Sequence, residues 1–155
     1  MSNYRIIAIP PKVADKVRAT GKAPGYGHPA HVEIATGYGP CRLCLQTFRI
    51  GEESRILFTY DPFFGIEAIP LPGPVFIHAH RCERYPEHGG YPKEMMAHAA
   101  VLNAYAKGQN LVARVIVDAN DGHEAKVREV LNRSDVDYIE VRDREAGCFD
   151  FRVER

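Results

Sequence analysis

"YIEVRDREAGCFDFRVE" (138–154) decides how the rest of the chain is read. Before Gly147, Ile139 and Val141 alternate with Glu140 and Arg142. After it, Phe149, Phe151 and Val153 alternate with Cys148, Asp150 and Arg152. Alternation with period two marks a strand that lays one face on a core. Two such runs around a glycine-containing turn make an antiparallel hairpin, not the long crossover that parallel strands need.

Working outward, "LVARVIV" (111–117) reads as another strand. "NDGHEAKVREVLN" (120–132) reads as a helix starting near Asn120 or Asp121, with Val127, Val130 and Leu131 inward. "PKEMMAHAAVLNAYAKG" (92–108) is predicted as the clearest helix. Pro92 suits its first turn and Gly108 its stop, and Met95, Ala99, Leu102 and Ala106 form an apolar stripe. Towards the N-terminus, "YRIIAI" (4–9) is a buried strand stopped by Pro10-Pro11. "KVADKVRAT" (12–20) is a short helix closed by Gly21. Residues 21–40 form a long Gly/Pro/Tyr-rich surface loop with a short strand at 31–35. Such loops are uncommon in compact domains and often functional. "CRLCLQTFRIGEESRILFTYDPF" (41–63) is predicted as two strands around Gly51, with Ile56, Phe58 and Tyr60 on one face of the second. The sum is α+β: a single domain over 1–155, a mostly antiparallel sheet with two to three helices packed on one side.

The 155 residues balance 20 Lys+Arg against 20 Asp+Glu. No overall field draws the chain to nucleic acid or to an anionic membrane. No stretch has the length of a membrane span and "MSNYRIIAIPPKV" has no signal-peptide pattern, so the expected location is the cytoplasm. Thiols stay reduced there, and Cys41, Cys44, Cys82 and Cys148 read as free, metal-bound or reactive. Nothing in the composition sets an oligomeric state.

The chemistry concentrates in "GPVFIHAHRCERY" (73–85). As a strand over 75–82, Val75, Ile77 and Ala79 face a core, while Phe76, His78, His80 and Cys82 share the other face. With Cys41 and Arg42, the residues His78, His80 and Cys82 make a candidate pocket for a small, anionic molecule. Arginine forks suit carboxylate or phosphate. A second class of function is a hydrolase or transferase, with His78 and Cys82 as candidate catalytic groups. A third is an interaction module stapled by zinc, with Cys41, Cys44, His78 and His80 as candidate ligands. On a straight strand His78 pairs with His80, or His80 with Cys82, but His78 and Cys82 stand roughly 13 Å apart. Cys41 and Cys44 point to opposite faces if 41–48 is strand, and no glycine follows Cys44 to ease a tight turn. His28 and His31 offer the Cys pair a competing partner set. Packing and hydrogen bonding explain the same residues without a metal, and none is assigned at this level.

Other polar groups have plainer readings. Arg142 and Arg152 pair with Glu140 or Asp150 across the hairpin. Asp118, Asn120, Asp121 and His123 cluster at a strand end, where helix capping accounts for Asn120 or Asp121. Met95 and Met96 are core. Tyr26 and Tyr38 either pack the long loop down or stack on a ligand.

With "GPCRLCLQ", "GEESRILFTYDPF", "GPVFIHAHRC" and "CFDFRVER" in this order, the chain resembles the bacterial family named domain of unknown function 1203 over essentially its whole length. The resemblance implies no activity, substrate or cofactor. It directs attention to Cys41, Arg42, the Gly51-Glu52 turn, Pro62-Phe63, His78 and Cys82.

Overall fold

A computed structural model describes residues 3–155. The order is β1 (Arg5–Ile7), α1 (Pro11–Thr20), β2 (His31–Ile34), β3 (Ser54–Tyr60), β4 (Gly73–His78), a 3-10 turn (Lys93–Ala97), β5 (Ala100–Tyr105), β6 (Leu111–Val117), α2 (His123–Leu131), β7 (Tyr138–Asp143) and β8 (Phe149–Glu154). Five strands form one sheet in the order β1-β8-β7-β5-β6, and three form a second in the order β2-β3-β4. Every pairing is antiparallel. The class is α+β, with two α-helices that serve different cores. No helix among the described residues is long and apolar enough to cross a membrane.

The larger sheet buries Leu102, Ile139, Val141, Phe151 and Val153 against Val127, Val130 and Leu131 of α2. The smaller sheet buries Ile56, Phe58, Val75 and Ile77 with Val13, Ala14 and Val17 of α1. Helix α1 begins with Pro11, which needs no N–H partner there. It ends at Gly21, whose φ of 66° lets its N–H reach the Val17 carbonyl at 2.8 Å.

The hairpin stands as expected, with one addition. Val141 pairs with Phe151 but Arg142 pairs with Phe149, so Asp150 is an extra residue in a β-bulge. The bulge puts Phe149 on the same face as Arg142, where it stacks on Tyr60 at 5.9 Å, and leaves Asp150 buried.

Four expectations are corrected. Residues 92–108 are not a helix: a 3-10 turn is followed by β5, paired on one side with β6 and on the other with β7. The alanines of the segment also fit period two, and Ala100, Leu102 and Ala104 are all buried in the same core. Hydrogen bonds from two neighbouring strands outweigh the helix propensity of the alanines. Residues 41–48 are a tight turn closed by a bridge between Pro40 and Thr47. The strand expected over 75–82 stops at His78. Helix α2 starts at His123, with Gly122 before it and no side-chain cap from Asn120 or Asp121.

Candidate functional site

The turn at 41–45 is built by its own backbone. The Leu45 N–H reaches the Cys41 carbonyl at 2.7 Å, and the Cys41 N–H reaches the Gln46 carbonyl at 2.9 Å. Leu45 has φ of 56°, a conformation that usually selects glycine and costs another residue about 1–2 kcal/mol. Its side chain explains the choice. It is buried among the residues of the larger core, whereas Cys41, Leu43 and Cys44 belong to the smaller one. The turn is therefore pinned into both.

Cys41 and Cys44 then meet the end of β4. The Arg42 N–H bonds the Phe76 carbonyl at 2.9 Å, and the His78 N–H bonds Cys41 Sγ at 3.3 Å. After His78 the chain leaves the sheet and brings Cys82 back, with Cys82 Sγ 3.8 Å from Cys41 Sγ. Cys44 Sγ lies 3.4 Å from His78 Nδ1. One ligand atom from each of Cys41, Cys44, His78 and Cys82 lies within 4.8 Å of all the others.

Residues without a sequence signal surround the four. Glu53 is buried, and its carboxylate accepts from His78 Nε2 at 2.8 Å, His80 Nε2 at 3.1 Å and the Arg49 N–H at 2.9 Å. Burial alone would raise the Glu53 carboxyl. The Arg49 N–H and the imidazoles of His80 and His78 outweigh it and hold the group below its ordinary value. Arg18 of α1 donates through Nη2 to Cys82 Sγ at 3.4 Å and through Nε to the His78 carbonyl at 3.1 Å. Phe48 covers the His78 ring at 4.6 Å.

The thiols polarise one another. Hydrogen bonds with Cys44 and Cys82 push the Cys41 thiol far below its ordinary value against the effect of burial, and the Cys41 and Cys82 sulfurs with burial push Cys44 far above. Burial opposes a charge on His78, yet the Cys41 and Cys82 sulfurs prevail and raise it to about 10.

The other candidate residues lie outside this group. Arg42 is buried, with Nε on the Phe149 carbonyl at 2.8 Å and Nη2 3.4 Å from Asp150 Oδ1. His80 is exposed; it meets the group through Glu53 at 3.1 Å and through its ring, 4.6 Å from that of His78. His28 bonds Thr59 at 2.7 Å, and His31 sits on β2 beside Glu33. Cys148 is half-buried and apart. Arg142 pairs with Glu140 at 2.9 Å, Arg152 with Glu154 at 2.8 Å, and Asp118 with Arg144 at 3.1 Å. His123 bonds the His98 carbonyl at 2.9 Å. Tyr38 stacks on His98, and Tyr26 lies beside His28. The larger cavities are lined by none of Cys41, Arg42, Cys44, His78, His80 or Cys82.

The fold and site describe an α+β protein carrying a compact Cys/Cys/His/Cys cluster at the seam of two antiparallel sheets. By family, the chain belongs to the proteins of unknown function DUF1203, whose model matches residues 38–155 and so includes all four cluster residues. Comparison with curated proteins and with solved structures finds no match.

Proposed function

We propose that the chain is a single zinc-stapled module in which Cys41, Cys44, His78 and Cys82 hold one zinc ion. One observation carries the reading. A tetrahedral ion with Zn–S of about 2.3 Å and Zn–N of about 2.0–2.1 Å needs ligand atoms about 3.8 Å apart for two sulfurs and about 3.6 Å for sulfur and nitrogen. The sulfur pair Cys41–Cys82 is at 3.8 Å and the mixed pair Cys44–His78 at 3.4 Å. Four protein ligands make a closed site, so the ion supports structure and keeps no position for a substrate.

The surroundings fit. Glu53 on His78 Nε2 is the carboxylate partner that orients a metal-bound imidazole. Arg18 on Cys82 and the His78 N–H on Cys41 stabilise thiolate charge. A bound zinc would hold the thiols as thiolates and offset their mutual repulsion. A reducing cytoplasm would keep the three cysteines as ligands. The other readings have less support. A pocket at Cys41, Arg42, His78, His80 and Cys82 draws no support from the cavities described above, none of which these residues line. A hydrolase or transferase needs a thiolate open to substrate, whereas Cys41 and Cys44 are buried and Cys82 lies under Arg18.

The test is elemental analysis of tag-free protein purified under reducing conditions, followed by replacement with cobalt(II). The expected result is one zinc per chain and an intense thiolate-to-cobalt absorption that Cys82→Ser weakens and His31→Ala leaves intact. Reduced protein that takes up neither metal would overturn the reading.

A further inference from the structure

On the far side of α1 from the cysteines, two cavities share Tyr60 and Phe64 as lining. The larger is about 600 Å3, within the range of about 300–1,000 Å3 of small-molecule sites. Val13, Tyr26 and Phe64 give it an apolar wall, and Lys12, Lys16 and Asp61 its charged groups. The smaller, about 230 Å3, holds Arg84, Arg152 and Phe149.

Charge identifies the occupant. Four cations and a single carboxylate line the two cavities, on a chain whose formal net charge is zero; of the four, Arg152 pairs with Glu154 at 2.8 Å and Arg84 Nη1 lies 3.9 Å from Glu87, so the unmatched charge is that of Lys12 and Lys16. Asp61 is partly spent, since its Oδ1 accepts the N–H groups of Phe63 at 3.0 Å and Leu71 at 3.2 Å. Lys12 lies over the Phe64 ring at 5.6 Å, and neither Lys12 nor Lys16 forms an ion pair among the described residues. Arg84 donates through Nη2 to the Ala8 carbonyl at 2.5 Å, while its buried Nε has no hydrogen-bond partner among the described residues. A buried donor without a partner costs about 1–3 kcal/mol, and a ligand oxygen would relieve it. The apolar side is equally unspent. Tyr26 and Phe64 are exposed, as are Ile69 and Leu71 on either side of the lining residue Pro70.

We propose that the two adjoining cavities, which share Tyr60 and Phe64, together bind a small organic anion with an apolar body, of the class of medium-chain or aromatic carboxylates. The carboxylate lies between Arg84 and Arg152, the body lies on Tyr60, Phe64, Tyr26 and Val13, and Lys12 and Lys16 add attractive field. The site shares no residue with the cysteine cluster and does not depend on the zinc reading.

The test is an amide-shift NMR titration of the protein as purified, with octanoate and 1-octanol as probes. Octanoate is expected to saturate with shifts at residues 12–16, 59–65 and 84, and to bind about tenfold more tightly than octanol. Arg84→Gln removes that preference. Because Arg84 also ties down Ala8, the double variant Lys12→Ala/Lys16→Ala at exposed positions serves as a second probe, expected to weaken octanoate and not octanol. Equal affinity for the two probes, shifts centred elsewhere, or no saturation by octanoate would each overturn the proposal. Zinc content measured on the same sample keeps this result separate from the fate of the cysteine cluster.

Discussion

The five-stranded sheet and the three-stranded sheet differ in what lies among their apolar residues. The larger one has a continuous apolar face: Leu102, Ile139, Val141, Phe151 and Val153 have no exposed surface and α2 closes it, although its strands also bury Glu140 and Asp150 and its edge strand β6 exposes Leu111 and Ile116. The smaller one leaves Val32 and Ile34 of its edge strand 59% and 47% exposed. Its interior holds Arg55, Glu53 and His78 among the apolar residues. The cysteine cluster sits in this second unit, at the junction of β4, the 41–45 turn and α1; under the zinc reading it adds a metal staple to an apolar core. Arg42 then ties the smaller unit to the larger through Phe149 and Asp150, the latter being the bulged residue of β8.

The strongest challenge to this contrast is Cys44→Ser. It should abolish zinc binding and lower the thermal midpoint by more than any other single change here, whereas Cys148→Ser, away from the cluster, should leave both unchanged. Leu102→Ala comes next, with an expected loss of about 2–5 kcal/mol by denaturant titration. That loss should be the same with and without chelator, because Leu102 belongs to the other core.

Asp150 sharpens the picture of the joint. Burial raises its carboxyl to about 7 although the Arg42 guanidinium opposes the shift. A folded value above the unfolded one favours the folded state fully below the ordinary carboxylate value, and this contribution is lost as pH rises to about 7. Unfolding free energy measured against pH should therefore carry a falling component across that window that Asp150→Asn lacks. Glu53→Gln should weaken zinc about 10–100-fold, read by competition with a chelating dye, while leaving the number of ions bound unchanged. The smallest effect is at Leu45. Leu45→Ala loses the buried side chain and keeps the left-handed backbone, whereas Leu45→Gly loses the side chain and the strain. The glycine variant should be the more stable by about 1 kcal/mol.

How much of this the sequence shows depends on whether the deciding contacts are local. The hairpin at 138–154 is legible because alternation is a local property. Its bulge at Asp150 is not, since one extra residue leaves no mark in the pattern. Residues 92–108 satisfy period 3.6 and period two together through their alanines, and the arbiters, β6 and β7, lie elsewhere in the chain. At the site, Cys41, Cys44, His78 and Cys82 stand out by type, and Cys41, His78 and Cys82 by family resemblance as well. A continuous strand would hold His78 and Cys82 roughly 13 Å apart. They meet because the strand ends at His78. The turn that aims Cys41 and Cys44 together is hidden by a leucine where a glycine is the usual signal, since Leu45 is held there by a core it alone of the turn reaches. Glu53 and Arg18 carry no local signal, and only the packing of β3 and α1 against β4 brings them in.

Hydrogen exchange of the zinc-loaded protein, before and after chelation under reducing conditions, tests the division of labour most directly. The expected result is loss of protection in residues 40–47, 54–60 and 73–82 with protection retained in 100–105, 138–143 and 149–154. Unchanged protection throughout, or its uniform loss across both sheets, would contradict the account.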